Sequence, residues 1–197
     1  MMLEPQVVPS EVCCQCEVCC RFPEADSFLR PYFTDVEIRQ ALDRGIDRAH
    51  FADSAGCQIA VVPHPGEEGF LCPAFDPETH HCRIYSVRPL DCQLYPFALM
   101  WNAEREKVLF AWDPKCPYLL AQSGETVRPM ELDKDTASLR LPASLLEQAH
   151  SVANWLESEE AFDALRAHPR LITAFQPDAV IIKLLDRLTA TLRSSSS

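Results

Sequence analysis

The chain has 197 residues, 47% hydrophobic and 24% charged, a balance that suits one globular fold and excludes a disordered polymer. Its net charge of −11 and pI near 4.9 argue against nucleic acid as a partner, because a phosphate backbone is repelled where no basic patch offsets the charge. No apolar run approaches the roughly 20 residues that a bilayer span needs, and the opening MMLEPQVVPSEV has neither the basic nor the apolar region of a secretory leader. A cytoplasmic protein with no membrane partner is expected.

The first element in chain order is a helix over 34–50. Thr34 and Glu37 form a capping-box signature, and Ile38, Ala41, Leu42, Ile46 and Ala49 follow at helical spacing. Two short strands, 58–62 and 70–75, are expected around the turn-rich PHPGEEG. A hairpin follows, with strands at Phe97–Trp101 and 107–112 joined through 102–106. Pro142 starts a helix over Ala143–Leu156, and a second, Glu159–Ala167, is stopped by Pro169. The last helix is expected over 178–193, with Ile181, Leu184, Leu185, Leu188 and Leu192 on its core-facing stripe.

The ten cysteines lie across this framework very unevenly. Five fall between Cys13 and Cys20, then come Cys57, Cys72, Cys82, Cys92 and Cys116, and none follows Pro117. In a reducing compartment such a pattern points to metal or redox chemistry rather than a disulfide scaffold. The vicinal pairs Cys13-Cys14 and Cys19-Cys20 also count against disulfides. The composition break predicts a cysteine-cluster metal-binding domain over 1–120 and a helical extension over 121–197. The fold class expected is α+β: a small metal-organised, cysteine-rich domain with short strands, followed by the helical extension.

Cys13, Cys16, Cys19 and Cys20 form a Cys-x-x-Cys-x-x-Cys-Cys run. Two-residue gaps let a tight turn bring successive sulfurs to one metal, and a vicinal pair lets one sulfur point elsewhere. Cys72, Cys82 and Cys92 are separated by nine residues each, and Cys116, in a Pro-Lys-Cys-Pro turn, completes eight. Eight thiolates match two tetrathiolate zinc ions or one to two iron–sulfur clusters. A divalent ion with four thiolates carries a net −2, so cations are needed nearby. Arg83 and Arg88 are placed for that role. His64, His80 and His81 are alternative donors beside an already sufficient set of sulfurs.

The run Cys72-Pro73, Cys82-Arg83-Ile84-Tyr85, Arg88-Pro89-Leu90-Asp91-Cys92 and Tyr95-Pro96-Phe97, taken with the N-terminal cysteines, resembles the YkgJ-type cysteine-cluster family. The resemblance covers 13–116 and implies a zinc- or iron-chelating domain, in some members an iron–sulfur protein. It implies Cys13, Cys16, Cys19, Cys20, Cys72, Cys82, Cys92 and Cys116 as ligands. Cys14 and Cys57 fall outside the pattern as spare or accessory thiols. The function expected is metal binding through eight thiolates, as an iron–sulfur cluster or zinc. Two other classes are an iron–sulfur enzyme of redox or methyl-transfer chemistry, as in flagellin lysine methylases, and a zinc-stabilised interaction module. No catalytic residue is assigned: the chain has no Gly-rich phosphate loop and no carboxylate pair in an acid–base motif.

Overall fold

The computed structural model describes residues 7–123 and 141–194. The chain forms two compact units, one of Pro9–Leu94 and one that runs from Tyr95 onward and takes in Val8. Among the described residues no helix is long and apolar enough to cross a membrane.

The Pro9–Leu94 unit is a mosaic of short pieces. It begins with a single helical turn, α1 (Ser10–Cys13), and a 3-10 turn at Val18–Cys20. There follow β1 (Arg21–Phe22), β2 (Tyr32–Thr34), α2 (Asp35–Asp43), β3 (Gly56–Gln58), β4 (Val62–Pro63), β5 (Phe70–Leu71), β6 (Phe75–Asp76), β7 (His81–Cys82) and α3 (Leu90–Leu94). The strands pair antiparallel as β1-β5-β4, β2-β3 and β6-β7.

Helix α2 starts as its sequence dictates. The Thr34 hydroxyl accepts from the Glu37 backbone N–H, and the Glu37 carboxylate accepts from the Thr34 N–H. It stops at Asp43, however, well short of the expected 50. Gly45 takes φ +84, its N–H reaches the Leu42 carbonyl, and the Ile46 N–H reaches back to Ala41. These two bonds are a Schellman termination, which needs a left-handed residue and finds one in glycine. Ile46 still packs inward at 3% exposure, so its apolar spacing is real although it lies beyond the helix. The expected strand 58–62 divides into the end of β3 and the start of β4. The expected 70–75 is interrupted after Leu71 by a turn in which the Phe75 N–H donates to the Cys72 carbonyl at 2.9 Å, with Pro73 inside it.

The core of this unit gathers Phe33, Ile38, Ile59, Leu71 and Ile84, with Cys57 and Cys72 among them. Phe33 meets Phe51 edge-on at 5.3 Å between ring centroids. Gly69, just before β5, has φ +97, and a Cβ there would stand 2.7 Å from the Phe22 carbonyl oxygen. Gly69→Ala is therefore expected to cost about 1–3 kcal/mol and to loosen the β1-β5 pairing. Urea unfolding of the metal-free variant checks it.

The second unit is organised on a three-stranded antiparallel sheet. Its strands are β8 (Phe97–Trp101), β9 (Val108–Trp112) and β10 (Val180–Leu184), in the order β10-β9-β8. The hairpin is as expected. Asn102 closes it, its side-chain oxygen accepting the N–H groups of Glu106 and Lys107 at 2.7 and 2.9 Å. Every residue of β9 is buried, as befits a central strand. The helices are α4 (Pro117–Gln122), α5 (Ala143–Leu156), α6 (Glu159–Ala167) and α7 (Asp186–Ser194). α5 and α6 match expectation.

The final expected helix does not. Residues 180–184 form the edge strand β10, and α7 begins only at Asp186. The β-branched run Val180-Ile181-Ile182 suits a pleated strand, and it pairs with β9 through a register shift between Ile181 and Lys183. Ile181, placed on the core stripe by its spacing, is 55% exposed. Leu188 and Leu192 do bury, on α7. The whole is a mixed α+β chain of small sheets with a largely helical C-terminal region.

Candidate metal centre

Three backbone devices bring the cysteines of the Pro9–Leu94 unit together. The first is the β1-β5 ladder. Arg21 pairs with Leu71, so Cys20 and Cys72, the next residues out on each strand, oppose one another. The Cys72 N–H donates to the Cys20 carbonyl at 2.8 Å. The second is β6-β7, in which Cys82 pairs with Phe75, and Phe75 is tied by its own N–H to Cys72. The third is α3, which carries Cys92. At the chain start, Cys16 donates to the Cys13 carbonyl at 3.2 Å and Cys20 to Glu17 at 2.8 Å, curling the run into successive turns.

Cys19 is the hub. Its sulfur is hydrogen-bonded to that of Cys20, and it lies near enough to Cys16, Cys72, Cys82 and Cys92 that ionising it would raise each of them. Cys19 is also exposed, whereas Cys72 is buried. Cys13 stands at the end of α1, half-buried. Among the described residues no three His, Cys, Asp or Glu side chains stand as a ready-made shell; the sulfurs are neighbours rather than a closed cage.

Three of the thiols receive an amide from two residues further on. The N–H of Val18 points at the Cys16 sulfur, that of Ala74 at Cys72 and that of Ile84 at Cys82; Phe75 adds a second at Cys72. Such donors favour thiolate over thiol and are what a metal-bound sulfur accepts. The Arg88 guanidinium lies 4.0 Å from the centre of the Tyr85 ring, and its charge also favours the Cys82 thiolate. Arg83, expected in the same role, instead donates to the carbonyl of Pro73, beside Cys72.

Without a cation these thiols hold their protons. Burial pushes Cys72 up to about 12, with the charges of Cys82 and Cys19 adding to it. Cys92 is raised well above the ordinary thiol by burial, then by Asp91 and by Cys72, Cys19 and Cys82. Cys20 is raised first by its bond to Cys19, then by burial. Cys16 and Cys82 are raised by burial against the pull of their amides. In the window from 9.0 to about 12 the folded metal-free chain therefore holds more protons at Cys72 than the unfolded one. Its stability falls there as pH rises, by about 1.4 kcal/mol per pH unit for one such thiol. Urea unfolding of the metal-free protein at about pH 8 and about pH 10.5 is expected to show the fall. Were Cys72 a metal ligand, its thiolate would already be ionised in the metal-loaded protein, which would then lack the fall.

Cys14, outside the Cys-x-x-Cys-x-x-Cys-Cys frame, is close enough to Cys82 to raise it. Sequence spacing alone gave no signal for that proximity, which depends on where β7 lies. Cys57 is in the hydrophobic core, donating its S–H to the Asp53 carbonyl at 3.3 Å. Cys116 lies in the second unit, buried, as the residue before α4. The His64 Nδ1 accepts from the N–H groups of Gly66 and Glu67, which occupies that nitrogen. His80 sits at φ 56 with its ring edge-on to Phe75, and His81 is exposed opposite Asp76.

Two carboxylates brace this part of the unit. Asp91 accepts from the Tyr32 N–H at 2.9 Å, and desolvation raises its carboxyl to about 6, the Glu37 charge adding to the effect. Glu37 accepts from the Leu90 N–H at 2.6 Å. An all-sulfur donor set with amides and one guanidinium around it suits zinc or iron, the borderline and thiophilic metals, over magnesium or calcium.

No solved structure matches the chain. The family model that does match spans residues 12–117, just over half of the chain and all of the thiols described above, and on that match the protein belongs to the CxxCxxCC family, "Putative zinc- or iron-chelating domain".

Proposed function

We propose that the Pro9–Leu94 unit binds iron, as an iron–sulfur cluster, or zinc through thiolates drawn from Cys13, Cys16, Cys19, Cys20, Cys72, Cys82 and Cys92. The observation that carries this reading is the backbone register that sets Cys20 against Cys72, the Cys72 N–H on the Cys20 carbonyl at 2.8 Å, and brings Cys82 to the same turn through Phe75. Thiols that hold each other's protons in place are destabilised as thiolates until a cation arrives, and the amides at Cys16, Cys72 and Cys82 stand ready to accept that change. The family description, a zinc- or iron-chelating domain, supports the same reading. Bound there, the metal supplies either an electron-transfer centre or a rigid cross-link between the N-terminal run and the Cys72–Cys92 segment.

The deciding experiment is metal and acid-labile sulfide content, with a visible spectrum, on protein purified without air. Iron with sulfide and a broad visible absorption identifies a cluster and a redox role. One to two zinc ions per chain without colour identify a structural thiolate site. Protein that is folded and carries neither metal overturns the reading.

A further inference from the structure

The Glu37 carboxylate holds three donors. Its Oε2 takes the Thr34 N–H at 2.8 Å and the Thr34 hydroxyl at 2.9 Å, and its Oε1 takes the Leu90 N–H at 2.6 Å. A capping box needs only the first oxygen. The second is committed 53 residues away in sequence, to the opening residue of α3. The bond is answered in the opposite direction, because Asp91, the second residue of α3, takes the N–H of Tyr32 two residues ahead of Thr34. Two carboxylates thus cross between the segment opening α2 and the segment opening α3, each closing a main-chain donor on the other side. The residue that follows Asp91 is Cys92. A third bond, from the Gln93 side-chain amide to the Arg88 carbonyl at 2.6 Å, closes the short turn from within.

We propose that Glu37 is a positioning residue of the metal centre, setting the place of Cys92 through the Leu90 amide. It touches no sulfur and acts through α3. The proposal rests on the thiolate reading above and adds to it a residue outside every cysteine motif. The carboxylate itself matters because glutamine has one acceptor oxygen. It can cap Thr34, but it then presents an N–H₂ group to the Leu90 N–H, donor against donor. Metal–sulfur distances tolerate only about 0.2 Å, so a small release of α3 is felt at the ion before it is felt in the fold.

The test compares wild type, Glu37→Gln and Ile38→Val, all full-length and purified without air. Ile38, next along α2 and 2% exposed, loses packing on substitution but touches no hydrogen bond in the clamp. Two quantities are measured: the EDTA concentration that removes half the metal, and the Tm of the metal-free protein. Glu37→Gln is expected to release its metal at about 10- to 100-fold lower EDTA, the usual effect of losing a partner that orients a ligand. Ile38→Val is expected to release it close to the wild-type concentration although its metal-free Tm also falls. If the two variants weaken metal retention in step with Tm, or if Glu37→Gln retains metal as wild type does, the positioning role is overturned and the metal reading stands. If wild type carries no metal, the metal reading falls and the positioning role falls with it.

Discussion

Removing the metal from the anaerobically purified protein with a chelator is expected to loosen the Pro9–Leu94 unit, which stays folded on its apolar core but opens far more often. Its strands are two or three residues long, and its longest helix has nine residues, below the roughly 12–15 at which isolated helices become even marginal. Structural zinc in small domains contributes an apparent 10–16 kcal/mol of folding free energy, so its loss leaves this unit's short ladders with much less to hold them closed. In the second unit β8, β9 and β10 have five residues each, joined in a continuous sheet. Hydrogen exchange before and after EDTA reads the difference. The Cys72 and Arg83 amides, bonded to Cys20 and Ala74, are expected to lose protection, while the Phe110 amide in β9 keeps it. Unchanged protection at Cys72 and Arg83 would mean that the metal adds nothing to the stability of the unit.

The second large effect is expected from one thiol and not from its twin. Cys57 and Cys72 are each 6% exposed and share one hydrophobic core, so replacing either by serine buries a hydroxyl at similar cost, about 1–3 kcal/mol. Cys72→Ser also removes the sulfur on which the Ala74 and Phe75 amides converge and which neighbours Cys82 and Cys19. Its metal content is expected to fall to a trace. Cys57→Ser, whose hydroxyl can still donate to the Asp53 carbonyl, is expected to keep the wild-type content. Elemental analysis of the two variants, beside the Tm of each metal-free protein, separates ligand loss from core damage. Equal metal loss in both would assign the effect to the core.

Much of this was legible in the residues because the signals were local. Thr34 and Glu37 announce a helix start within four residues, Pro142 announces another, and the hairpin at Phe97–Trp101 needs only its own two strands. Local pattern misleads where a nonlocal partner decides. Residues 180–184 carry an apolar pattern compatible with a helix face, but the open edge of β9 and three β-branched residues in a row made them a strand. Gly45 was visible as a residue, yet only the closure of Ile46 onto Ala41 showed that it ends α2. The site divides the same way. The Cys-x-x-Cys-x-x-Cys-Cys frame can be read directly, whereas the opposition of Cys20 and Cys72 depends on the register of two-residue strands, too short to show any periodicity. Glu37 is legible in the sequence only as a cap, because Leu90 is remote from it.

The pairing of Cys20 with Cys72 also sets an order of events during synthesis. The N-terminal thiols leave the ribosome roughly 50 residues before their first partner, and at about 5–20 residues per second that interval is a few seconds. For that time Cys13 to Cys20 form a flexible thiol-rich peptide with nothing to fold against, able to take a metal from any donor or to be oxidised. A centre that draws on Cys92, as proposed above, cannot close until the chain has been made past that residue, and its loading would then be a late step, competing with whatever the nascent peptide met first.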